Sequence, residues 1–242
     1  MKDSTSLVIL AIGFVIGVVI AKSMSYTRAY AASSNNNTQI YYGGRVITNP
    51  KLRIIFWGDF TRANPSMAQI DAQIRRAFSS TYFNALSEYK IGRPSYLGYI
   101  NVRSTPRNGF DYNDMKKLLD SKYPINDYGT LYFIIPQPGL KADRGGAAFH
   151  AFLDKKDVGR AYGAFDSNYY YMDQITQAVM EETAEFAVDP YYNGWTVNNR
   201  LENPVQFLPL EMVDVCDGKT ARVNGVSVTG IWSNKQNRCV FG

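Results

Sequence analysis

The spacing of apolar residues changes period along the chain, and each change marks a different element. Residues 53–57 (RIIFW) follow Asn49-Pro50 as a short apolar block and read as a buried strand. Ile70, Ile74, Phe78, Tyr82 and Leu86 then recur at helical spacing behind Ser66 and Gln69, a capping box. This predicts one helix running until Gly92 and Pro94 stop it. Residues 96–102 read as a second strand, 111–123 as a helix capped by Asp111, and 130–135 (TLYFII) as the strongest strand in the chain. Residues 147–153 and 160–165 make two more strands before a helix over 173–188 that ends where Pro190 cannot continue it. Beyond Pro190 the chain is turn-rich, with Asn193-Gly194, Asn203-Pro204 and Asn224-Gly225, and two short strands are expected between Cys216 and Cys239. The order strand, helix, strand, helix, strand, strand, strand, helix predicts an α/β (α+β) sandwich of two or three layers. It has one mixed sheet and an irregular C-terminal subdomain over residues 190–242.

The helix over 173–188 departs from a plain amphipathic pattern. At about 100° per residue Ile175, Val179, Glu182 and Phe186 share one stripe, with Ala178 and Glu185 on its shoulder and Glu181 at its border. Glu182 therefore points at the core, where an unpaired carboxylate costs several kcal/mol (order of magnitude) unless a cation, a donor cluster or a raised pKa compensates. One reading makes Glu182 a buried acid satisfied by Arg, Tyr or backbone donors; the other gives it a metal or catalytic role. Glu181 and Glu185 read either as solvated acids on the helix border or as members of a site. His150, the sole histidine, sits on the strand over 147–153 with Ala148 and Phe152 on its side. It is either a satisfied strand histidine or a ligand reaching over to the Glu helix. The tyrosines at 169–171 and 191–192 either pack a loop or line a groove for a sugar or peptide.

Composition narrows the function classes. The chain of 242 residues carries a net charge of +5. Residues 7–21 form an unbroken apolar run behind Lys2, and Ala29-Tyr30-Ala31 supplies a small-x-small cleavage signal, so residues 1–32 read as a signal peptide or an uncleaved membrane anchor. Either places the rest outside the cytoplasm, with any membrane contact through that segment alone. Residues 33–38 are a polar linker, and 39–242 form one domain. Losing Lys2, Lys22, Arg28 and Asp3 leaves a net of +3 with scattered basic residues, too mild for a nucleic-acid partner. Cys216 and Cys239 are the only cysteines, and in an oxidising compartment they are expected to pair. With one histidine they cannot form a Cys/His zinc site.

The segments GGRVITNPKLRIIFWGDF, GGAAFH, AEFAVDPYYNGW and EMVDVC, followed by VNGVSVTGIWSNKQNRCV, resemble the secreted phosphate-induced protein 1 (EXORDIUM) group and its microbial relatives over most of residues 43–242. Many microbial relatives carry His-Glu followed by a second Glu and Asp-Pro, a pattern similar to a zincin metallopeptidase helix. The resemblance implies a zincin-like fold in which residues 147–153 form the edge strand beside a substrate groove. Laid on that pattern, Glu182 takes the general-base position and Glu185 the second Glu, while Glu181 stands where the histidine would be. A catalytic zinc usually keeps imidazole ligands, because neutral nitrogens leave it acidic enough to activate water. A site from Glu181 and Glu185 with Asp189, Glu211, Asp214 or His150 suits a hard cation, calcium rather than zinc.

Two functions of different class follow. The first, and preferred, is a secreted non-catalytic protein on a degenerate metallopeptidase-like scaffold that binds an extracellular peptide or glycan. The second is a metal-dependent peptidase with Glu182 as general base.

Overall fold

The protein is described from a computed structural model that covers residues 37–123, 127–143, 147–152, 160–197 and 211–242. The segment read as a signal peptide or anchor lies outside the described residues, as does most of the linker. Among the described residues no helix is long and apolar enough to cross a membrane. In chain order the elements are β1 (Gln39–Tyr41), β2 (Lys51–Trp57), α1 (Met67–Ser79), a 3-10 segment (Tyr82–Tyr89), β3 (Ser95–Val102), α2 (Tyr112–Asp120), β4 (Thr130–Pro136) and β5 (Ala148–Phe152). They continue with β6 (Ala161–Phe165), α3 (Met172–Val188), β7 (Trp195–Val197), β8 (Thr220–Val223), β9 (Val226–Thr229), β10 (Ile231–Ser233) and β11 (Arg238–Val240).

Alternation along β2 and β4 sorts the molecule into layers. Leu52, Ile54 and Phe56 of β2, with Leu131, Phe133 and Ile135 of β4, pack with Ile70 and Ile74 of α1 and Val179 and Phe186 of α3. The intervening Ile55, Trp57, Tyr132 and Ile134 face Met115, Leu118 and Leu119 of α2. Helices therefore cover both faces, and the sandwich has three layers. The sheet runs β3-β2-β4-β6-β5, parallel through its first four strands. Only β5, at the edge, is antiparallel. This is the mixed sheet that the strand and helix order predicts.

Two local expectations are corrected. The single helix from Ser66 toward Gly92 breaks after Ser79, because Ser80 turns its backbone extended. Its hydroxyl donates to the Ala77 carbonyl and accepts from the Tyr82 N–H, so it competes with the helical ladder, and the chain resumes as a 3-10 segment. The capping box at Ser66 and Gln69 is present, as is a second at Asp111 and Asp114. Where two strands were expected near the C-terminus there are four, in the hairpins β8-β9 and β10-β11. The short ladder between β1 and β7 was not foreseen at all.

These C-terminal hairpins do not have a core of their own. Met212, Val213, Cys216, Val226, Val228, Ile231 and Trp232 join the cluster that holds α1 and α3. Cys216 and Cys239 form the expected disulfide, with Cα atoms 5.8 Å apart, which locks the loop leaving α3's flank to β11. Closing a loop of sequence separation 23 disfavours the unfolded chain by about 3 kcal/mol. For a chain this long that corresponds to about 6–12 °C in Tm. We expect reduction followed by alkylation of both thiols to lower the melting temperature by that amount; an alkylated protein that melts unchanged would refute the estimate.

Candidate functional site

α3 is buried almost all round, because the sheet lies under it and α1, β9 and the C-terminal chain close over it. Its acids are consequently drawn inside. Glu182 and Glu185 are buried and Glu181 is half-buried, so the reading of Glu185 as a solvated border acid does not hold. The helix ends as Asp189 donates its N–H to the Glu185 carbonyl at 2.7 Å, while the Asp189 Oδ1 accepts the Gly194 N–H at 2.6 Å. Only glycine fits at 194, since a Cβ there would stand 2.2 Å from the Val188 carbonyl.

The partner of Glu182 is His150, not the arginine, tyrosine or backbone donors that one reading expected. From the middle of β5, His150 places Nδ1 2.8 Å from Glu182 Oε2, with both groups buried. The strand places its neighbours as alternation requires: Phe152 meets Phe186 and Tyr191 on the α3 side, and Phe149 meets Tyr162 on the other. Across the ladder from His150 stands Gly163, where a Cβ would lie 2.6 Å from Phe133. Tyr192 stacks on the imidazole at 5.7 Å and donates its hydroxyl to the His150 carbonyl at 2.7 Å. The ring is thus held from above, from its own backbone and through Nδ1.

Its other nitrogen has no such anchor. His150 Nε2 faces Glu211 Oε1 at 3.6 Å, beyond hydrogen-bond reach, and neither buried atom has a hydrogen-bond partner. Glu211 is buried at the start of the C-terminal segment, and its N–H donates to Asp214 Oδ2 at 3.2 Å. The Asp214 N–H in turn donates to Glu185 Oε1 at 3.3 Å. Glu181 lies on the far side of Glu185, with Thr229 Oγ1 3.5 Å from its Oε2. Ligand-capable atoms of His150, Glu182 and Glu185 lie within 4.8 Å of one another, and so do those of Glu181, Glu185 and Asp214. Glu211 and buried Asp189 belong to neither set, though both lie within electrostatic reach of His150.

Electrostatics follow from this crowding. Burial, then the neighbouring acids, holds the Glu181 and Glu185 carboxyls well above the carboxylate range. Burial does the same to Glu211, with His150 opposing it, and pushes Asp214 up to about 6. Burial also disfavours charge on His150, yet Glu211, Glu182 and Asp189 together lift its pKa to about 9. Acids this close cannot all ionise without protons or a cation between them.

Sequence reasoning missed Tyr82. Its position in the helical period marks it as core, and it is completely buried, but its hydroxyl has no partner and lies within the electrostatic reach of Glu181 and Glu185. No sequence signal distinguishes such a phenol from packing. The 169–171 tyrosines divide: Tyr169 and Tyr171 are exposed and Tyr170 is buried. A hollow of about 380 Å³, lined by Trp57, Ser104, Lys117 and Lys122 among others, opens against α2, and no residue of the acid cluster reaches it.

Comparisons with family models, curated proteins and solved structures give no match. The disulfide is compatible with an extracellular protein.

Proposed function

We propose that this is an exported, non-catalytic protein on a metallopeptidase-like scaffold, in which the acid cluster holds a hard dication such as calcium and the flank of β5 binds an extended extracellular peptide or glycan. The observation that carries the cation is the facing pair His150 Nε2 and Glu211 Oε1. The neighbouring acids favour a proton on Nε2, which then points at Glu211 Oε1 without reaching hydrogen-bond distance; a cation that displaced that proton would meet both atoms as ligands. Glu182 then acts as the residue that sets the tautomer and aims the ring. His150, Glu185 and Glu211 would hold the ion. The donor set, one imidazole among acids, fits an oxygen-seeking ion better than zinc.

The same geometry argues against hydrolysis. A general base must have an oxygen free to take a proton from water, and His150 engages Glu182 Oε2 at 2.8 Å, which leaves only Oε1 for that role. A carboxylate-rich shell also drains the Lewis acidity that would make bound water nucleophilic. Ligand binding is supported by the position of β5. No strand among the described residues pairs with its outer edge, and Tyr191 and Tyr192 form an aromatic shelf against Phe152 and His150. Edge strands accept extended peptides through backbone hydrogen bonds, and aromatic faces accept sugars.

A peptidase remains the second reading because one observation favours it: an antiparallel edge strand lies directly beside a helix bearing Glu182 and Glu185. This is the arrangement that the resemblance to a zincin helix implies. Calorimetric titration of chelator-stripped protein, together with a casein-cleavage assay, separates the two. We expect calcium to bind, zinc to support no cleavage, and calcium-dependent signals on peptide or glycan arrays. Chelator-sensitive proteolysis that disappears in Glu182→Gln would replace the first reading by the second.

A further inference from the structure

We propose that the bulge at Gly98, on the sheet edge opposite β5, binds a tetrahedral oxyanion, a phosphate or sulfate group gripped by Arg53 and Arg75. This site shares no residue with the acid cluster and does not depend on the cation reading. Its starting point is a slip in the ladder between β2 and β3. Leu52 pairs with Tyr96 and Ile54 with Tyr99, so Arg53 alone stands opposite Leu97 and Gly98. Gly98 takes φ 81°, a conformation that favours glycine and that marks a bulge in an edge strand. The Leu97 carbonyl there accepts from Arg53 Nη1.

The bulge brings together two guanidiniums that start from opposite faces of the sheet. Arg53 lies between Leu52 and Ile54, which face α1 and α3, so it leaves β2 on the α2 side, whereas Arg75 comes from α1. A Cβ built on Gly98 would stand 3.2 Å from Arg75 Nη2 and 3.8 Å from Arg53 Nη1. Among the described residues, chain neighbours aside, it would meet nothing else within 4 Å. Two like charges at one point repel, and an anion between them turns that repulsion into attraction.

Both groups are held in place with donors to spare. Arg75 Nε donates to Asp71 Oδ2 at 2.8 Å, and its guanidinium lies 5.1 Å from the centre of the Tyr96 ring, whose hydroxyl donates to Asp71 Oδ1. That leaves Nη2, the nitrogen nearest Gly98, outside the ion pair. Arg53 has no acidic partner among the described residues, and its Nε is buried without a hydrogen-bond partner. Two guanidiniums against the one carboxylate of Asp71 leave a positive charge for an incoming anion. The geometry also selects the anion's shape. A carboxylate spends its two oxygens on one guanidinium fork, whereas a tetrahedral group has oxygens for both. Leu97 and Tyr99, the exposed large side chains on either side of Gly98, add apolar surface on which the body of an ester can lie.

The test uses the full chain, isotope-labelled for nuclear magnetic resonance and titrated with inorganic phosphate, inorganic sulfate, and the phosphate and sulfate monoesters of glucose. The Gly98 amide and the arginine Nε–H signals are followed. We expect saturable shifts at Gly98, Arg53 and Arg75 with all four probes. Arg53→Gln and Arg75→Gln should each weaken binding about tenfold or more, and Arg75→Lys, which keeps the charge and loses the fork, should weaken it too. Tighter binding of the monoesters would support the site with a sugar ester as its occupant, and equal binding would support it with the free anion. Shifts that fail to saturate, or that spread evenly over the basic residues, would mean an adventitious ion only and overturn the proposal. Affinity unchanged in both glutamine variants would overturn it as well. The shifts of the unaltered protein decide the matter even if a variant does not fold.

Discussion

Stripped of divalent ions, the protein is expected to be most stable near pH 5 and to lose stability steadily toward pH 8, the reverse of ordinary acid denaturation. Burial holds Glu185 and Glu211 well above the carboxylate range and puts Asp214 at about 6. A carboxyl whose pKa is higher folded than unfolded costs nothing below about pH 4, where both states are protonated. The cost grows as pH rises through the folded value. His150 acts in the same direction: lifted to about 9 from 6.5, it contributes fully below the unfolded value, and that contribution fades as pH climbs through 9. Each tenfold displacement of a proton equilibrium corresponds to about 1.4 kcal/mol. Two such displacements across the whole cluster would lower Tm by about 6–12 °C. Calcium at a hundred times its Kd returns about 2.7 kcal/mol and should flatten the profile. Melting curves with chelator and with calcium measure both effects. Chelated protein as stable at pH 8 as at pH 5 would contradict the crowding of ionisable acids.

The second large effect concerns the pair itself. In chelator, His150→Ala is expected to cost about 3–5 kcal/mol, because Glu182 loses its partner at 2.8 Å and stays buried. Removing the charge as well, in His150→Ala with Glu182→Leu, should recover a large part of that loss, giving a coupling energy well above about 1 kcal/mol in a double-mutant cycle. Denaturant midpoints of the four proteins supply the measurement. A single variant that costs less than about 1 kcal/mol, or a cycle that is simply additive, would show that Glu182 does not depend on His150.

Much of the fold was legible because its elements obey one period each. β2 and β4 are apolar on both sides since helices cover both faces, and such runs can be read without knowing their neighbours. The break at Ser80 was hidden because Ile70, Ile74, Phe78, Tyr82 and Leu86 keep helical spacing straight across it. The periodicity records which side is buried, and a 3-10 segment can bury the same side. At the site, Glu182 was visible as a charge in an apolar stripe, and its burial follows. Glu185 was less visible, because its cover comes from the segment carrying Asp214, far along the chain. The pairing of His150 with Glu182 depends on β5 lying at the sheet edge over α3, a tertiary fact that no local pattern contains. Tyr82 shows the same limit: packing and an orphan hydroxyl have one signature in sequence.

The order of these residues along the chain has a bearing on biogenesis. β5, the acids Glu181, Glu182 and Glu185 of α3, and Asp189 at its C-cap are synthesised well before Glu211, Asp214 and the disulfide that fastens their loop. Until that later stretch emerges, the helix carries its acids without the donors and apolar residues that cover them, among them Met212, Val213 and Trp232. An incomplete chain therefore cannot close its core around α3.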